Sequence, residues 1–351
     1  MQSKIALEKI IRKSRVHFYK PIQIAEILFH DRQKRIDLLD LESYRNVSKR
    51  WRDQITQTLI GRISTSSQKY QDNIFDENAM PPKALQELAD YNRSSQGVVE
   101  AFIYKSLQFR LAIVYGVEKY IKESTADTFQ LKELLNLFVR NPGLKRSVDK
   151  MYEITVYALF ATIVRALKAQ VSVEIDNKDI AVMRDFHLFI KIVLGLEPGM
   201  EKATKPASLY RVGVTNAADN GLDMLSNFGP IIQVKHLTLT PDLAEDITTG
   251  LAADSIIIVC LDAEEEAIRT LLTQIGLENR IQGIITLKNL ENWYQLCLSV
   301  KYRSTLGSTL LKDLFREFGL EFPSSQEIQP FIEERKYNGL ELPKDWKVVT
   351  Q

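Results

Sequence analysis

The stretch Gly221-Leu-Asp-Met-Leu-Ser-Asn-Phe-Gly-Pro-Ile-Ile-Gln-Val-Lys-His-Leu237 decides the fold assignment, because it has the pattern of a β-hairpin. Residues 227–230 are turn formers, and an apolar run lies on either side of them. We therefore predict two antiparallel strands, at 221–226 and 230–239, joined by a turn centred near Phe228.

The predicted hairpin brings three polar side chains to one face. With the turn centred near Phe228, Asp223 lies opposite Gln233, and opposed residues share a face with Cβ atoms about 5 Å apart. Lys235 follows two residues later and projects on the same face, whereas Val234 points the other way. One side of the hairpin therefore gathers a carboxylate, an amide and an ammonium group.

These groups suit the metal-dependent hydrolysis of a phosphodiester bond. Mg²⁺ prefers hard oxygen ligands and keeps several waters, so we expect the Asp223 carboxylate, the Gln233 side-chain oxygen and the Val234 carbonyl to bind it. Lys235 would orient the attacking water and offset charge on the phosphorane. The alternative is that these polar residues simply face solvent. The apolar residues around them instead favour a central strand. A lysine is rarely buried in such a strand unless its charge is paired.

A second acid is predicted on the helix that precedes the sheet, at 145–169. Glu153 lies where the apolar part of this helix begins, so we expect it to be partly buried. A buried carboxylate needs a partner. A metal-bound water or a second cation would provide one, and an ion pair with Lys150 on the adjacent turn would provide another. The sequence leaves both possibilities open.

The pattern of apolar residues changes near residue 170. Before this point the spacing predicts helices, and after it short alternating or apolar runs predict strands. Besides the hairpin, we place strands at 208–215, 255–261 and 281–286 and helices at 179–194, 241–252 and 263–276. A hairpin followed by β-α-β-α units implies a mixed sheet covered by helices. The predicted fold class is α/β, with a mainly α-helical amino-terminal region.

Charge is unevenly distributed along the 351 residues. The net charge is +1, but residues 1–70 hold 15 Lys and Arg against 7 Asp and Glu, and the rest of the chain holds 31 against 38. A basic segment on a nearly neutral protein is what binding to a phosphate backbone requires. Solvated helix faces would give the same excess.

Composition excludes several classes of protein. No apolar run approaches the roughly 18 residues that span a bilayer, and the amino terminus is charged rather than signal-like. Two cysteines are too few for a disulfide framework and lack a spacing suited to zinc. Cys260 ends an apolar run, so we interpret it as a core thiol. A reducing compartment, most simply the cytoplasm, is expected, with no membrane partner.

Cations, short hydroxyls and amides near aromatic or turn residues are candidates for contact with DNA. They are Lys49, Arg50, Arg52, Arg62, Ser64, Ser66, Asn216 and Asn220. The cations could instead be solvated around a core Trp51, and asparagine also favours turns for purely local reasons.

Four longer strings are more specific than the hairpin alone. They are Ser14-Arg-Val-His-Phe-Tyr-Lys-Pro-Ile-Gln-Ile-Ala-Glu-Ile-Leu28, Arg62-Ile-Ser-Thr-Ser-Ser67, Arg211-Val-Gly-Val-Thr-Asn-Ala-Ala-Asp-Asn-Gly-Leu-Asp223 and Gln233-Val-Lys-His-Leu237. Through them the chain resembles type II restriction endonucleases of the HaeII family. The Glu153 helix, Asp223 and Gln233-Val-Lys235 look like a PD-(D/E)xK nuclease core in its Gln-x-Lys variant.

The resemblance implies a homodimer that uses Mg²⁺ to cut double-stranded DNA at a short palindrome of the purine-GCGC-pyrimidine kind. It also implies a DNA methyltransferase as functional partner. We assign residues 1–144 to a helical region for DNA recognition and dimerisation, and 145–351 to the nuclease core with a helical carboxyl-terminal extension. The sequence departs from the superfamily's usual Glu-x-Lys pattern at Gln233, where an amide replaces the acid.

Two other functions fit parts of the same pattern. A structure-specific or repair nuclease could use the same core, but the long helical region before it fits an added recognition layer better. A DNA-binding protein with an inactive nuclease fold is the second. Retention of Asp223, Lys235 and Glu153 together argues against it.

Overall fold

The computed structural model describes residues 2–176, 180–197, 199–212, 222–251, 253–323 and 327–348. Among these, the chain divides into two compact units. The first, here called the helical unit, comprises residues up to Ile154 and from Leu311 onwards. The second, the sheet unit, comprises 155–212 and 222–310.

The helical unit is built from amphipathic helices whose apolar faces meet in one core. Its helices are α1 (Gln2–Lys13), α2 (Tyr19–Lys34), α3 (Leu41–Ile60), α4 (Gln68–Asp72), α5 (Pro82–Ser94), α6 (Val98–Glu123), α7 (Leu131–Arg140), the first part of α8 (Val148–Ala166), most of α14 (Ser308–Glu321) and α15 (Ile328–Glu334). Pro21 lies in the first turn of α2, and Ile22, Ile24 and Ile27 are buried. Each such side chain contributes about 1.5–3 kcal/mol on burial.

Residues from the carboxyl-terminal segment complete this core. Phe331, Tyr337 and Trp346 belong to the same cluster of buried side chains as Leu7 and Phe102. The assignment from sequence places this segment in the carboxyl-terminal extension of the nuclease core, because nothing in its local pattern shows which distant residues it packs against.

A buried carboxylate, Glu100, lies at the centre of a polar network in the helical unit. It accepts hydrogen bonds from Arg32 Nε and Nη2 at 2.8 Å each, from Asn92 Nδ2 at 2.6 Å and from the Tyr337 hydroxyl at 2.6 Å. Because Tyr337 lies in the carboxyl-terminal segment, the network ties that segment to α2, α5 and α6.

The sheet unit contains the predicted mixed sheet. Its strands are β1 (Gln170–Glu174), β2 (Lys202–Pro206), β3 (Leu209–Arg211), β4 (Met224–Ser226), β5 (Ile231–Val234), β6 (Thr238–Leu239), β7 (Ile256–Cys260), β8 (Asp262–Ala263) and β9 (Ile281–Thr286). The central sheet has the order β3-β4-β5-β7-β9. Strands β3, β4 and β5 pair antiparallel, and β5, β7 and β9 pair parallel. This arrangement confirms the α/β fold class.

Helices of the sheet unit cover the parallel strands and extend from them. They are α9 (Ile180–Asp185), α10 (His187–Phe189), α11 (Pro241–Gly250), α12 (Glu265–Gln274) and α13 (Leu287–Leu298), together with the second part of α8. Strand β7 reads Ile-Ile-Ile-Val-Cys, as expected of a parallel strand covered on both faces. Its Ile256 and Ile258 pack in one core with Ala244 of α11 and Ile268 of α12. The predicted strand at 281–286 coincides with β9.

A two-stranded hairpin with a helical segment between its strands precedes β3. Strands β1 and β2 form an antiparallel hairpin with Val171 opposite Lys205. Between them lie α9, α10 and a π-helical turn, Ile190–Leu194. This arrangement fits the helix predicted at 179–194.

Cys260 and Cys297 are buried, and neither forms a disulfide within the described part of the chain. Burial raises the pKa of the Cys260 thiol to about 11, which fits the predicted core thiol. No helix in the described ranges combines the length and the apolar content that a bilayer span requires.

Candidate active site

Strands β4 and β5 form the predicted hairpin with the predicted register. Met224 pairs with Ile232 and Leu225 with Ile231. Continuing this register by one residue places Asp223 opposite Gln233. Gly229, in the turn, has φ of 121°, a conformation that side chains with a Cβ rarely adopt.

The Asp223 carboxylate bridges two donors from the neighbouring strand. Its Oδ2 accepts a hydrogen bond from Gln233 Nε2 at 2.8 Å and another from the Val234 backbone N–H at 2.8 Å. In an extended strand the N–H and C=O of one residue point to the same side. The Val234 carbonyl therefore faces the same edge as Asp223, where we expect it to serve as a metal ligand.

Among the described residues, the side-chain oxygen of Gln233 has no hydrogen-bond partner. Gln233 is only 2% exposed, and its Oε1 accepts no hydrogen bond from any residue that the structure describes. A buried acceptor left unpaired costs about 1–3 kcal/mol, so such an atom calls for a ligand. The amide nitrogen of the same Gln233 side chain donates to the Asp223 carboxylate.

Lys235 follows at the end of β5. Its backbone N–H donates to the Val259 carbonyl at 2.8 Å, which extends the ladder with β7 one residue beyond the strand. Side chains alternate along the strand, so Lys235 shares a face with Gln233. The residue is half-buried, whereas Val234 packs inside with 7% exposure.

The donor groups at the hairpin are of a kind that a magnesium ion binds. Within the described residues, no three His, Cys, Asp or Glu side chains are grouped to hold a metal. The donor set at the hairpin is instead one carboxylate, one unpaired amide oxygen and one backbone carbonyl. An all-oxygen set of low charge suits Mg²⁺, which keeps several waters of its own.

Glu153 lies in the helical unit, on the first part of α8. It is 3% exposed, as its position in the sequence indicated, and its Oε2 forms an ion pair with Lys150 Nζ. This ion pair is one of the two interactions for Glu153 that the sequence leaves open. A catalytic role for Glu153 stays a prediction.

The candidate DNA contacts on α3 differ in exposure. Arg50 is exposed, and Lys49 forms an ion pair with Asp72 at 2.6 Å. Trp51 is half-buried and stacks on His30, with ring centroids 3.8 Å apart. Arg50 is therefore the cation of this group best placed to meet a phosphate.

Arg52 is corrected from a DNA-contact residue to a structural one. It is 1% exposed, and its guanidinium donates to Asp53 Oδ1 at 2.7 Å, to Gln71 Oε1 at 2.8 Å and to Gln23 Oε1 at 3.1 Å. Burial leaves it no surface for a phosphate. The helical spacing held a signal, because Arg52 lies one turn from Ser48 and Thr56, which are also buried.

The remaining candidates follow α3 or precede the hairpin. Arg62, Ser64 and Ser66 are half-buried, and the Ser66 carbonyl accepts a hydrogen bond from Gln71 Nε2 at 2.6 Å. Asn216 and Asn220 lie outside the described residues. All of these stay predicted DNA contacts.

Comparison with known proteins covers nearly the whole chain. Residues 3–337 match the family model described as HaeII restriction endonuclease. The chain is 47% identical over 339 residues to "Type II restriction enzyme HaeII" of Haemophilus aegyptius, with 96% of each chain covered. It is 48% identical over 342 residues to "Type II restriction enzyme NgoBI" of Neisseria gonorrhoeae, with 97% of each covered. No solved structure matches.

Proposed function

The chain belongs to the HaeII restriction endonuclease family, and on that premise we propose that it cleaves double-stranded DNA at a specific short site in a Mg²⁺-dependent reaction. The observation that carries the metal dependence is the pairing of Asp223 with Gln233, whose buried Oε1 is left without a partner in the described structure. An amide oxygen in that position is a ready ligand.

Three groups of the hairpin would hold the ion: the Asp223 carboxylate, Gln233 Oε1 and the Val234 carbonyl. When bound, Mg²⁺ supplies Lewis-acid polarisation of the scissile phosphate and of the attacking water. The Lys235 ammonium would orient that water and offset the negative charge that develops on the phosphorane. The hydrogen bond from the Lys235 N–H to the Val259 carbonyl of β7 fixes the Lys235 backbone, and this limits the positions that the side chain can reach.

DNA recognition is assigned to the amino-terminal helices. Residues 1–70 carry 15 Lys and Arg against 7 Asp and Glu, which suits contact with phosphates. We propose a palindromic site of the purine-GCGC-pyrimidine kind, read by a homodimer in the cytoplasm. A methyltransferase acting on the same site would protect the host's own DNA.

Digestion of unmethylated phage DNA tests this function. We expect the purified protein with Mg²⁺ to give discrete fragments that disappear with EDTA, and the mapped ends to define the site. A smear would indicate a nonspecific or structure-selective nuclease. Intact DNA would leave a DNA-binding role and contradict the proposed reaction.

Gln233→Glu is expected to strengthen metal binding. The substitution places a second carboxylate beside Asp223, which repels it in the free protein and attracts a divalent cation. We expect the Mg²⁺ concentration for half-maximal cleavage to fall about tenfold, or about 1.4 kcal/mol. Added Mg²⁺ should also raise the melting temperature of this variant more than that of the wild type.

A matched substitution on the surface of the same unit controls for the added charge. Gln274→Glu, at the exposed end of α12, should leave both the Mg²⁺ dependence and the melting response as in the wild type. If Gln233→Glu behaves like Gln274→Glu in the melting experiment, Gln233 is not a ligand.

A further inference from the structure

The loop between α3 and α4, residues 61–67, is held by side chains of the neighbouring helices. The Ile63 carbonyl accepts a hydrogen bond from the Tyr19 hydroxyl of α2 at 3.1 Å. The Ser66 carbonyl accepts one from Gln71 Nε2 of α4 at 2.6 Å. Groups outside the loop therefore fix its backbone at two points, three residues apart.

Arg52 links Gln71 to the interior of the helical unit. The Gln71 side chain donates to the loop through its nitrogen, and its Oε1 accepts a hydrogen bond from Arg52 Nη2 at 2.8 Å. Arg52 Nη1 donates to Gln23 Oε1 at 3.1 Å, and Gln23 Nε2 donates to the Ser48 hydroxyl at 3.0 Å. Arg52, Gln23 and Ser48 are all buried. A chain of hydrogen bonds thus runs from the buried faces of α2 and α3 to the loop backbone.

The bond from Arg52 to Gln71 is not needed to neutralise the buried guanidinium. Asp53 Oδ1 pairs with it at 2.7 Å and supplies the opposite charge. The guanidinium presents its donors in a rigid planar fork, so it can bind Gln23, Asp53 and Gln71 together. A lysine would keep the charge, but its single ammonium on a flexible stem cannot reproduce the three contacts. The arginine therefore orients Gln71 in addition to being buried with its own counter-ion.

The loop and the start of α4 carry the chemistry of a surface that binds a polyanion. Residues 61–70 contain two cations, five hydroxyl side chains and no Asp or Glu. Cations and short hydroxyls are the groups that contact phosphates and base edges in DNA. The nearby carboxylates are already paired, Asp53 with Arg52 and Asp72 with Lys49 at 2.6 Å. They therefore present little negative charge to DNA.

We propose that Arg52 and Gln71 are positioning residues for DNA recognition, which hold the loop at 61–67 in the conformation that contacts DNA. Arg52 is buried and acts on the loop through Gln71. A loop that is fixed before binding loses less conformational entropy when it binds, and it favours the one arrangement of base edges that fits it. The inference rests on the proposed function, since it concerns recognition of the DNA site that the protein cleaves.

Binding of two short duplexes, measured without divalent metal, tests this role. One contains a purine-GCGC-pyrimidine site, and in the other a single base pair of that site is changed. Gln71→Leu removes the bond to the Ser66 carbonyl and leaves Arg52 its bonds to Gln23 and Asp53. We expect it to bind the first duplex about tenfold more weakly, the loss typical of one hydrogen bond. Its affinity for the second should stay within about twofold of the wild type.

Gln86→Leu is the matched control. Gln86 is half-buried like Gln71, lies in the same unit on α5, and donates to Asp90 Oδ1 of its own helix at 3.0 Å. We expect this variant to bind both duplexes as the wild type does. Circular dichroism and thermal melting should show that every variant is folded.

A double-mutant cycle tests whether Arg52 acts through Gln71. Arg52→Lys should weaken binding of the first duplex in the same way as Gln71→Leu. Because both substitutions break the same connection, the double variant Arg52→Lys/Gln71→Leu should bind within about twofold of Gln71→Leu alone. Losses that add would mean that the two residues act independently, and would overturn the inference.

Three other results would also overturn the inference: a wild type that binds neither duplex, Gln71→Leu that binds as Gln86→Leu does, or Gln71→Leu that weakens equally on both duplexes. Digestion of phage DNA separates this inference from the proposed function. If the wild type cuts at a specific site and Gln71→Leu matches its control, only the positioning role is wrong. If Gln71→Leu loses the preference for the first duplex and the wild type cuts no DNA, the positioning role is supported and the proposed reaction is contradicted.

Discussion

Lys235→Ala is expected to lower the rate of DNA cleavage roughly 10²–10³-fold, the loss typical of removing one group that stabilises charge in a transition state. The lysine lies at the end of β5, on the face that carries Gln233, and its backbone is held by the Val259 carbonyl. Its ammonium group is needed only as charge develops, so DNA binding measured without divalent metal should change less than threefold.

Lys288→Ala is the matched control, because Lys288 is an exposed lysine of the same unit, on α13. Single-turnover cleavage of a short duplex that contains the mapped site gives the rate constants. If Lys235→Ala retains more than a tenth of the wild-type rate, the lysine is not the group that assists the attacking water.

Glu100→Ala is expected to destabilise the helical unit by about 3–5 kcal/mol, the cost typical of removing one partner from a buried ion pair. The carboxylate is 0% exposed and accepts four hydrogen bonds from Arg32, Asn92 and Tyr337. Its removal leaves these donors without their acceptor and opens a cavity between α6 and the carboxyl-terminal segment.

Urea denaturation followed by tryptophan fluorescence measures this change, since Trp51 and Trp346 both lie in the helical unit. Glu123→Ala removes an exposed carboxylate from the end of the same helix, α6, where the Lys119 ion pair is exposed on both sides. That control should shift stability by less than about 0.5 kcal/mol. An equal shift in the two variants would show that the buried network contributes no more than a surface charge.

The hairpin could be predicted from the sequence because local chemistry specifies it. Turn formers at 227–230 fix where the chain reverses, and the alternation of side chains then sets which residues oppose each other. The opposition of Asp223 and Gln233 follows from those two facts alone, and the hydrogen bond between them bears it out. The parallel strands β7 and β9 could be predicted as well, because each is a short apolar run in the sequence.

Features that depend on distant partners could not be predicted in the same way. Arg52 lies among surface-like cations in the sequence, yet its acceptors come from three separate positions, Gln23, Asp53 and Gln71. The packing of Tyr337 against Glu100 joins residues far apart in the chain. The ion pair of Glu153 with Lys150 is local, and the sequence did offer it as one of two possibilities.

The helical segment between β1 and β2 shows a different limit. Periodicity predicted the helix at 179–194, but a pattern that predicts an apolar face does not tell whether the chain itself covers that face. Only the exposed fractions of Phe186 and Phe189 show that the sheet unit leaves it open.

That Asp223 holds the metal on which cleavage depends is tested most directly by digesting unmethylated DNA with the wild type, Asp223→Asn and Asp242→Asn over a range of Mg²⁺ concentrations. Asp242 is an exposed carboxylate in the first turn of α11 and serves as the matched control. We predict that the wild type and Asp242→Asn give the same discrete fragments, and that Asp223→Asn binds the DNA but leaves it intact at every Mg²⁺ concentration. Cleavage by Asp223→Asn at the wild-type rate would contradict the assignment of the active site to this hairpin.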